Sequence, residues 1–270
     1  MRTPTWVVVC AAGAVLLAAC SPAPTESDPL AVTPQTAAPL QALPGSTAAP
    51  PATTAPAATV PTATTTTTGI VATGAVVGLT MFRGNPSRTL YGAGPIPTEL
   101  DVAWRFPEAP MCGNSPVGGQ DKVWCGSGWT GQPVVWERPD GVTEVIFGAY
   151  DKHIHFLDAA TGERTRPDFP MGDIIKGSVT LDPDGYPLLY SGSRDPHFRI
   201  IALDREIPTE LWSLDAESVP GMWNNDWDSN PVIVDGVLYE GGENSWWFAI
   251  ELNRAHDAEG RVTVDPAIVF

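Results

Sequence analysis

Basic side chains are scarce: 15 Lys and Arg stand against 31 Asp and Glu in 270 residues, for a formal net charge of −16. So acidic a surface excludes the phosphate contacts that nucleic acid binding requires, and it argues against docking on anionic lipid or teichoic polymers. Cysteine is nearly absent as well. Of four, Cys10 and Cys20 lie near the N-terminus; Cys112 and Cys125 remain, and with four scattered His they are too few for a structural metal centre. The apolar run Trp6–Ala19 is shorter than the roughly 20 residues a spanning helix needs. Hydrolase signatures are missing too, since Gly126-Ser127-Gly128 is not a Gly-x-Ser-x-Gly elbow and no His stands where a triad needs one.

What is present begins with that run. One basic residue, Arg2, precedes it, and it closes in Leu17-Ala18-Ala19-Cys20. This reads as a cleaved export signal over 1–19 rather than a membrane helix. The last four residues resemble the bacterial lipobox, which implies lipidation of Cys20 and a place at the extracytoplasmic face of the cell membrane. Removing the signal takes away only Arg2, leaving a net charge of about −17. Residues 20–75 are dominated by Pro, Ala and Thr, ending in the run Thr64–Thr68 and a short stretch of small apolar residues. Most of this span has too little apolar surface to offset the entropy of ordering, so a disordered linker is expected. Such a coil of about 50 residues spans about 40 Å, or roughly 150 Å when stiffened by proline. Its threonines are open to O-glycosylation or form a bare spacer. In an oxidising envelope, Cys112 and Cys125 are expected to form a disulfide around a small Gly-rich loop, worth about 3 kcal/mol in the chain-entropy view.

The centre of the chain is written three times. Thr130–Val135, the turn Pro139-Asp140-Gly141, Val145–Gly148 and Ile154–Asp158 form one copy. Lys176–Leu181, Pro183-Asp184-Gly185, Leu188–Gly192 and Ile200–Asp204 answer it in order. Asp228–Val234, Asp235-Gly236, Val237–Gly242 and Trp247–Glu251 make a third. Short strands recurring every 40 to 50 residues or so are the signature of a β-propeller, one repeat per blade. Runs such as Val145-Ile146-Phe147 fit strands buried on both faces by neighbouring blades. The expectation is an all-β partial propeller over 76–270, with about three blades and an orphan strand at Asp101–Phe106. Closed propellers need more blades, and Asp265–Phe270 reads as a blade's last strand. The 270 residues are therefore expected to be the N-terminal portion of a longer propeller or the product of a truncated gene.

Met81–Thr89 followed by Asp101–Phe106, the Leu-Asp strand ends at Asp158 and Asp204, the trailing Thr161-Gly162, and the aromatics Trp104 and Trp212 resemble bacterial propellers with pyrroloquinoline quinone (PQQ)-type repeats. The likeness runs from about Thr80 to the end. It implies architecture first, since many members bind no quinone. Some are scaffolding lipoproteins; others are quinoprotein dehydrogenases that use calcium beside PQQ, a catalytic Asp and, in many, a disulfide between adjacent cysteines. No adjacent pair exists here. On the dehydrogenase reading, Asp226 or Asp228 is the base, Lys176 or Arg194 polarises the quinone, and Trp129 stacks on it.

Blade geometry gathers two sets of loops at one rim. The candidates there are Trp129, Asp151, Lys176, Arg194, Asp195, Trp223, Asn224, Asn225, Asp226, Trp227, Asp228, Glu243 and Asn244. Trp223–Asn230 is the richest stretch. Its indoles and polar groups suit stacked sugar rings, its carboxylates suit Ca²⁺ although their spacing is not that of a calcium loop, and the same residues suit interblade wedges with turn caps. The favoured function is a lipid-anchored binding or scaffolding module for an envelope protein or glycan, without cofactor, metal or catalytic residue. The alternative is a PQQ-dependent dehydrogenase of alcohols or sugars.

Overall fold

A computed structural model of the chain describes residues 76–90, 92, 98–128 and 130–270. The stretches expected to be an export signal and a linker, together with Cys20 and Trp129, lie outside the described residues. The fold is all-β: among the described residues the one helical element is a 3₁₀ turn at Ala216–Ser218. Among the described residues no helix is long and apolar enough to cross a membrane. The strands are β1 (Gly78–Leu79), β2 (Cys112–Val117), β3 (Gln120–Cys125), β4 (Val134–Glu137), β5 (Thr143–Gly148), β6 (His153–Asp158), β7 (Phe169–Pro170), β8 (Thr180–Leu181), β9 (Leu188–Gly192), β10 (His197–Ala202), β11 (Thr209–Asp215), β12 (Val232–Val234), β13 (Val237–Gly241), β14 (Trp247–Glu251), β15 (Ala255–His256), β16 (Val262–Thr263) and β17 (Ala267–Ile268).

Three antiparallel sheets follow the three sequence copies. Their strand orders are β1-β4-β5-β6-β7, β8-β9-β10-β11 and β12-β13-β14-β17, and β2-β3 and β15-β16 are separate hairpins. Turn chemistry sets the registers. Asp235 and Gly236, both with positive φ, close β12 on β13 so that Val234 pairs with Val237, as a two-residue primed turn requires. Gly118-Gly119 does the same for β2 and β3.

Period-2 alternation then decides the packing. Leu188, Tyr190, Phe198, Ile200 and Ala202 of the second sheet pack with Ile233, Leu238, Phe248 and Ile250 of the third. Leu189 and Ile201, with Leu181 and Leu203, pack with Val134, Ile146, Ile154 and Phe156 of the first. The middle sheet is thus buried on both faces, each large side chain contributing about 1.5–3 kcal/mol.

A buried carboxylate pins each interface. Glu144 receives Arg166 Nε at 3.0 Å while the Nη1 of the same Arg166 donates to Leu203 O at 2.9 Å, joining the first sheet to the end of β10. Asp182 receives Arg254 Nη1 at 2.7 Å and the Tyr190 hydroxyl at 2.7 Å, joining the second sheet to the segment after β14.

One local expectation differs from the structure. Asp101–Phe106 is not a strand. It lies across the first sheet with the Trp104 indole over Gly162, its Nε1 donating to Ala159 O at 2.9 Å, and Phe106 set edge-on to Phe147 and His155. The bulky aromatics are satisfied by a sheet face, so no ladder partner is needed. Just after the span expected to be a linker, Gly78–Leu79 forms β1, an edge strand that pairs with β4 through Gly78 and Trp136.

Glu240 is the outlier of this core. It is 1% exposed, and neither carboxylate oxygen meets a donor in good geometry. Burial lifts its pKa from 4.5 to about 8, with the Ser229 hydroxyl and the Arg88 guanidinium pulling it back only in part. Between those values the folded chain keeps a proton that the unfolded chain has released. Stability is therefore full below the ordinary value and is lost as pH rises through about 8, at up to about 1.4 kcal/mol per pH unit. Glu240→Gln is expected to raise Tm by about 10 °C at pH 8.5 and to leave it nearly unchanged at pH 4.5, as thermal melts at the two pH values will show.

Candidate functional site

Where consecutive sheets meet, the loop leading into one repeat crosses the β-turn of the repeat before it. Gly192 shows why this is close: a Cβ there would lie 2.1 Å from Trp227 Cβ, so only glycine admits the loop. Trp227 N donates to Ser193 O at 2.9 Å, Arg194 N to Ile174 O at 3.0 Å, and Glu243 N to Asp226 O at 3.0 Å. These backbone bonds bring the charged side chains of different repeats together.

Three ion pairs form the centre. Lys176 Nζ sits 2.5 Å from Asp228 Oδ2 and 3.8 Å from Asp226 Oδ2, while Arg194 Nε grips Asp226 Oδ2. The rest of Arg194 reaches out to the β2–β3 hairpin, where its Nη1 donates to Ser115 Oγ at 3.1 Å and Pro116 O at 3.0 Å. Ser115 in turn donates to Asp173 at 2.9 Å, and Lys152 pairs with Asp173 at 3.1 Å. On the other side Asn224 Nδ2 donates to Glu243 Oε2 at 3.2 Å. Burial raises the Asp226 pKa, helped by the Asp228 charge and opposed by Arg194 and Lys176. Asp228 Oδ1 is buried and has no hydrogen-bond donor from the described protein.

Lys176, Arg194, Asn224, Asp226, Asp228 and Glu243 are thus brought together. Asn225 is adjacent, its Nδ2 turned to Glu217 at 3.3 Å, and Trp223 stands 80% exposed beside them. The other candidates are placed differently. Trp227 is 1% exposed, between Phe198 and Phe248, with its Nε1 donating to Pro196 O at 2.9 Å. It is a core residue, because the socket left by Gly192 draws the indole inward.

Asp151 and Asp195 are occupied within their own repeats. Asp151 accepts from His155 Nε2 at 3.1 Å, and Asp195 holds the Arg199 guanidinium at 2.5 and 2.9 Å. Burial pushes both carboxylates up, but these partners outweigh it and leave both pKa values below the ordinary range. The third repeat places Asn244 and Phe248 at the matching positions. With no cation to pair, the residue is neutral: Asn244 is fully buried, donating to Ala216 O at 3.0 Å and accepting from Trp246 N at 3.1 Å. It therefore does not face the rim.

The Cys112–Cys125 disulfide is formed, directly across the β2–β3 pair with Cα atoms 4.1 Å apart. Through Ser115 and Pro116 it carries one wall of the site, a role with no signal in the sequence beyond the cysteines themselves. Gly113 lets the hairpin lie flush, since a Cβ there would be 2.1 Å from Tyr150 O.

Carboxylate oxygens of Asp226, Asp228 and Glu243 lie within 4.8 Å of one another, the spacing of a cation site. The Lys176 ammonium, however, is seated on two of the three and already supplies the positive charge a Ca²⁺ would bring. The three carboxylates therefore do not fit Ca²⁺ while Lys176 is seated on them, and Trp129, the residue expected to stack on a quinone, lies outside the described residues. The sequence matches no protein-family model, and no curated protein is significantly similar to it.

The two neighbouring indoles give a sharp test: Trp227→Ala is expected to cost about 3–5 kcal/mol, and Trp223→Ala less than about 0.5 kcal/mol, in urea unfolding. For the hairpin, replacing both Cys112 and Cys125 by Ser is expected to speed trypsin cleavage after the exposed Lys122 by about tenfold or more, with the main melting transition little changed.

Proposed function

We propose that this chain is a lipid-anchored, extracytoplasmic partial β-propeller with PQQ-type repeats, and that it binds an envelope protein or glycan through the rim formed by Lys176, Arg194, Asn224, Asp226, Asp228 and Glu243. The propeller reading is supported by three sheets that repeat in sequence and stack through alternate residues of the middle one. Anchoring rests on the resemblance of Leu17–Cys20 to a lipobox.

The observation that carries the binding role is the convergence of loops from different repeats on a half-buried charged cluster in which Asp228 Oδ1 meets no donor among the described residues. A carboxylate oxygen so placed is completed by a hydroxyl or N–H from a ligand. Trp223, exposed beside it, offers an apolar ring face. With Lys176 on the carboxylates, the arrangement favours recognition over quinone chemistry.

The test is binding of the purified chain to immobilised envelope glycans and to envelope proteins. Asp228→Asn is expected to weaken the bound ligand about tenfold or more, with Tm held within a few degrees. Undiminished binding by both Asp228→Asn and Trp223→Ala removes the rim from the proposal, and a new absorbance band on adding PQQ and Ca²⁺ restores the dehydrogenase.

A further inference from the structure

The β2–β3 hairpin carries its disulfide on the side turned away from the rest of the protein. Cross-strand register sets Cys112, Asn114 and Pro116 beside Cys125, Val123 and Asp121 on one face, and all six residues are exposed. The opposite face does the packing. Ser115 is fully buried there, a Cβ on Gly113 would run into Tyr150 O, and the Trp124 ring stands edge-on to Tyr150 with centroids 6.0 Å apart. The two cysteines therefore stand in solvent while the hairpin rests on its other side.

A link so placed steadies the hairpin and adds nothing to the core. Among the described residues β2 and β3 pair only with each other, and a two-stranded hairpin is marginal by itself in water. Its turn gives no further hold, since a Cβ on Gly118 or Gly119 would have no atom within 4 Å. The bond between Cys112 and Cys125 is thus the covalent support of an otherwise weak element, and it lies within reach of a soluble thiol.

What the hairpin holds is Arg194. Ser115 Oγ and Pro116 O accept from its Nη1 at 3.1 and 3.0 Å, while its Nε grips Asp226. Ser115 also donates to Asp173 at 2.9 Å, and Lys152 pairs with that carboxylate. When the two strands part, Ser115 and Pro116 withdraw and the guanidinium is left with Asp226 alone. Lys176 is no substitute for the lost tether, because its ammonium sits on Asp228 and is 3.8 Å from Asp226. The loop at 221–228 then loses a fixed point, as members of a hydrogen-bonded network do when one partner leaves.

We propose that Cys112–Cys125 is a thiol–disulfide exchange site for a protein carrying two neighbouring thiols, and that its reduction frees Arg194 and loosens the rim. A thiolate of that protein attacks one Sγ, forming a mixed disulfide as the Cys112–Cys125 bond breaks, and the departing sulfur takes up a proton. The second thiol loses its proton, attacks the mixed disulfide and releases the other cysteine, which is protonated in turn. Two electrons and two protons have then passed to the chain, and the partner leaves as a disulfide. What is regulated rests on the reading of the rim as a binding surface; the exchange and the loosening are measured without a ligand.

Dithiothreitol on the intact chain is the probe. Reduction is expected to proceed in the folded state, at a rate that urea below the unfolding transition changes less than about twofold. Amide hydrogen exchange is then expected to speed about tenfold or more in β2 and β3 and about threefold or more at 221–228, with β9 and β10 unchanged. Replacing both Cys112 and Cys125 by Ser should give the same pattern without dithiothreitol and no response to it; if that variant does not fold, the native chain reduced and capped with iodoacetamide takes its place. Reduction that requires global unfolding, faster exchange confined to β2 and β3, or loss of protection in β9 and β10 together with the hairpin overturns the proposal. So does equal retention of the oxidised and reduced chains on the glycans and envelope proteins that the oxidised chain binds. Failure of the oxidised chain to bind any of them counts against the rim as a binding surface, while faster exchange at 221–228 on reduction still supports the exchange site.

Discussion

The second sheet has no face turned to water, and everything else in the structure depends on that. Its odd and even residues serve different neighbours: Leu189 and Ile201 serve the first sheet, Tyr190 and Ile200 the third. Because strand side chains alternate strictly, a slip of one residue would exchange the two sets and break both interfaces together. The turns and the buried Glu144 and Asp182 clusters hold the register that keeps the sets apart. The charged cluster at the loops is a by-product of this stacking, since Lys176, Arg194 and Asp228 meet only because their sheets do.

Much of the strand content was legible in the chain because turn chemistry and alternation are local. Pro139-Asp140-Gly141, Pro183-Asp184-Gly185 and Asp235-Gly236 each stand between paired strands, and Ala267–Ile268 completes the third sheet as its composition suggested. Asp101–Phe106 has the composition of a strand but finds its stability in ring contacts with residues over 40 positions away, which alternation does not encode. The β15–β16 hairpin and the two-residue strands carry too few residues to leave a period.

At the site, grouping the loops was enough to bring Lys176, Arg194, Asp226, Asp228 and Glu243 into one list, because a repeat puts equivalent loops at one end. It could not separate Trp223 from Trp227. Both sit among Asn and Asp, and their difference lies in Gly192, more than 30 residues earlier, whose missing side chain accepts one indole and not the other. The offset of four from Asp151 to His155 and from Asp195 to Arg199 was readable as a repeated pair, and its change to Asn244 and Phe248 signals that no counter-ion is left. The part played by Ser115 and Pro116 had no such signal, since it depends on where a disulfide-closed hairpin comes to rest.

Stacking without closure also shapes how the molecule comes apart. Each sheet is held by its immediate neighbours alone, so cohesion behaves as a short linear chain of links. Among the described residues the middle member is packed on both faces and the third on one, so the middle cannot loosen before an outer one has left. Amide protons in β12–β14 should then exchange with solvent sooner than those in β9 and β10, in an order set by position in the stack rather than by strand length.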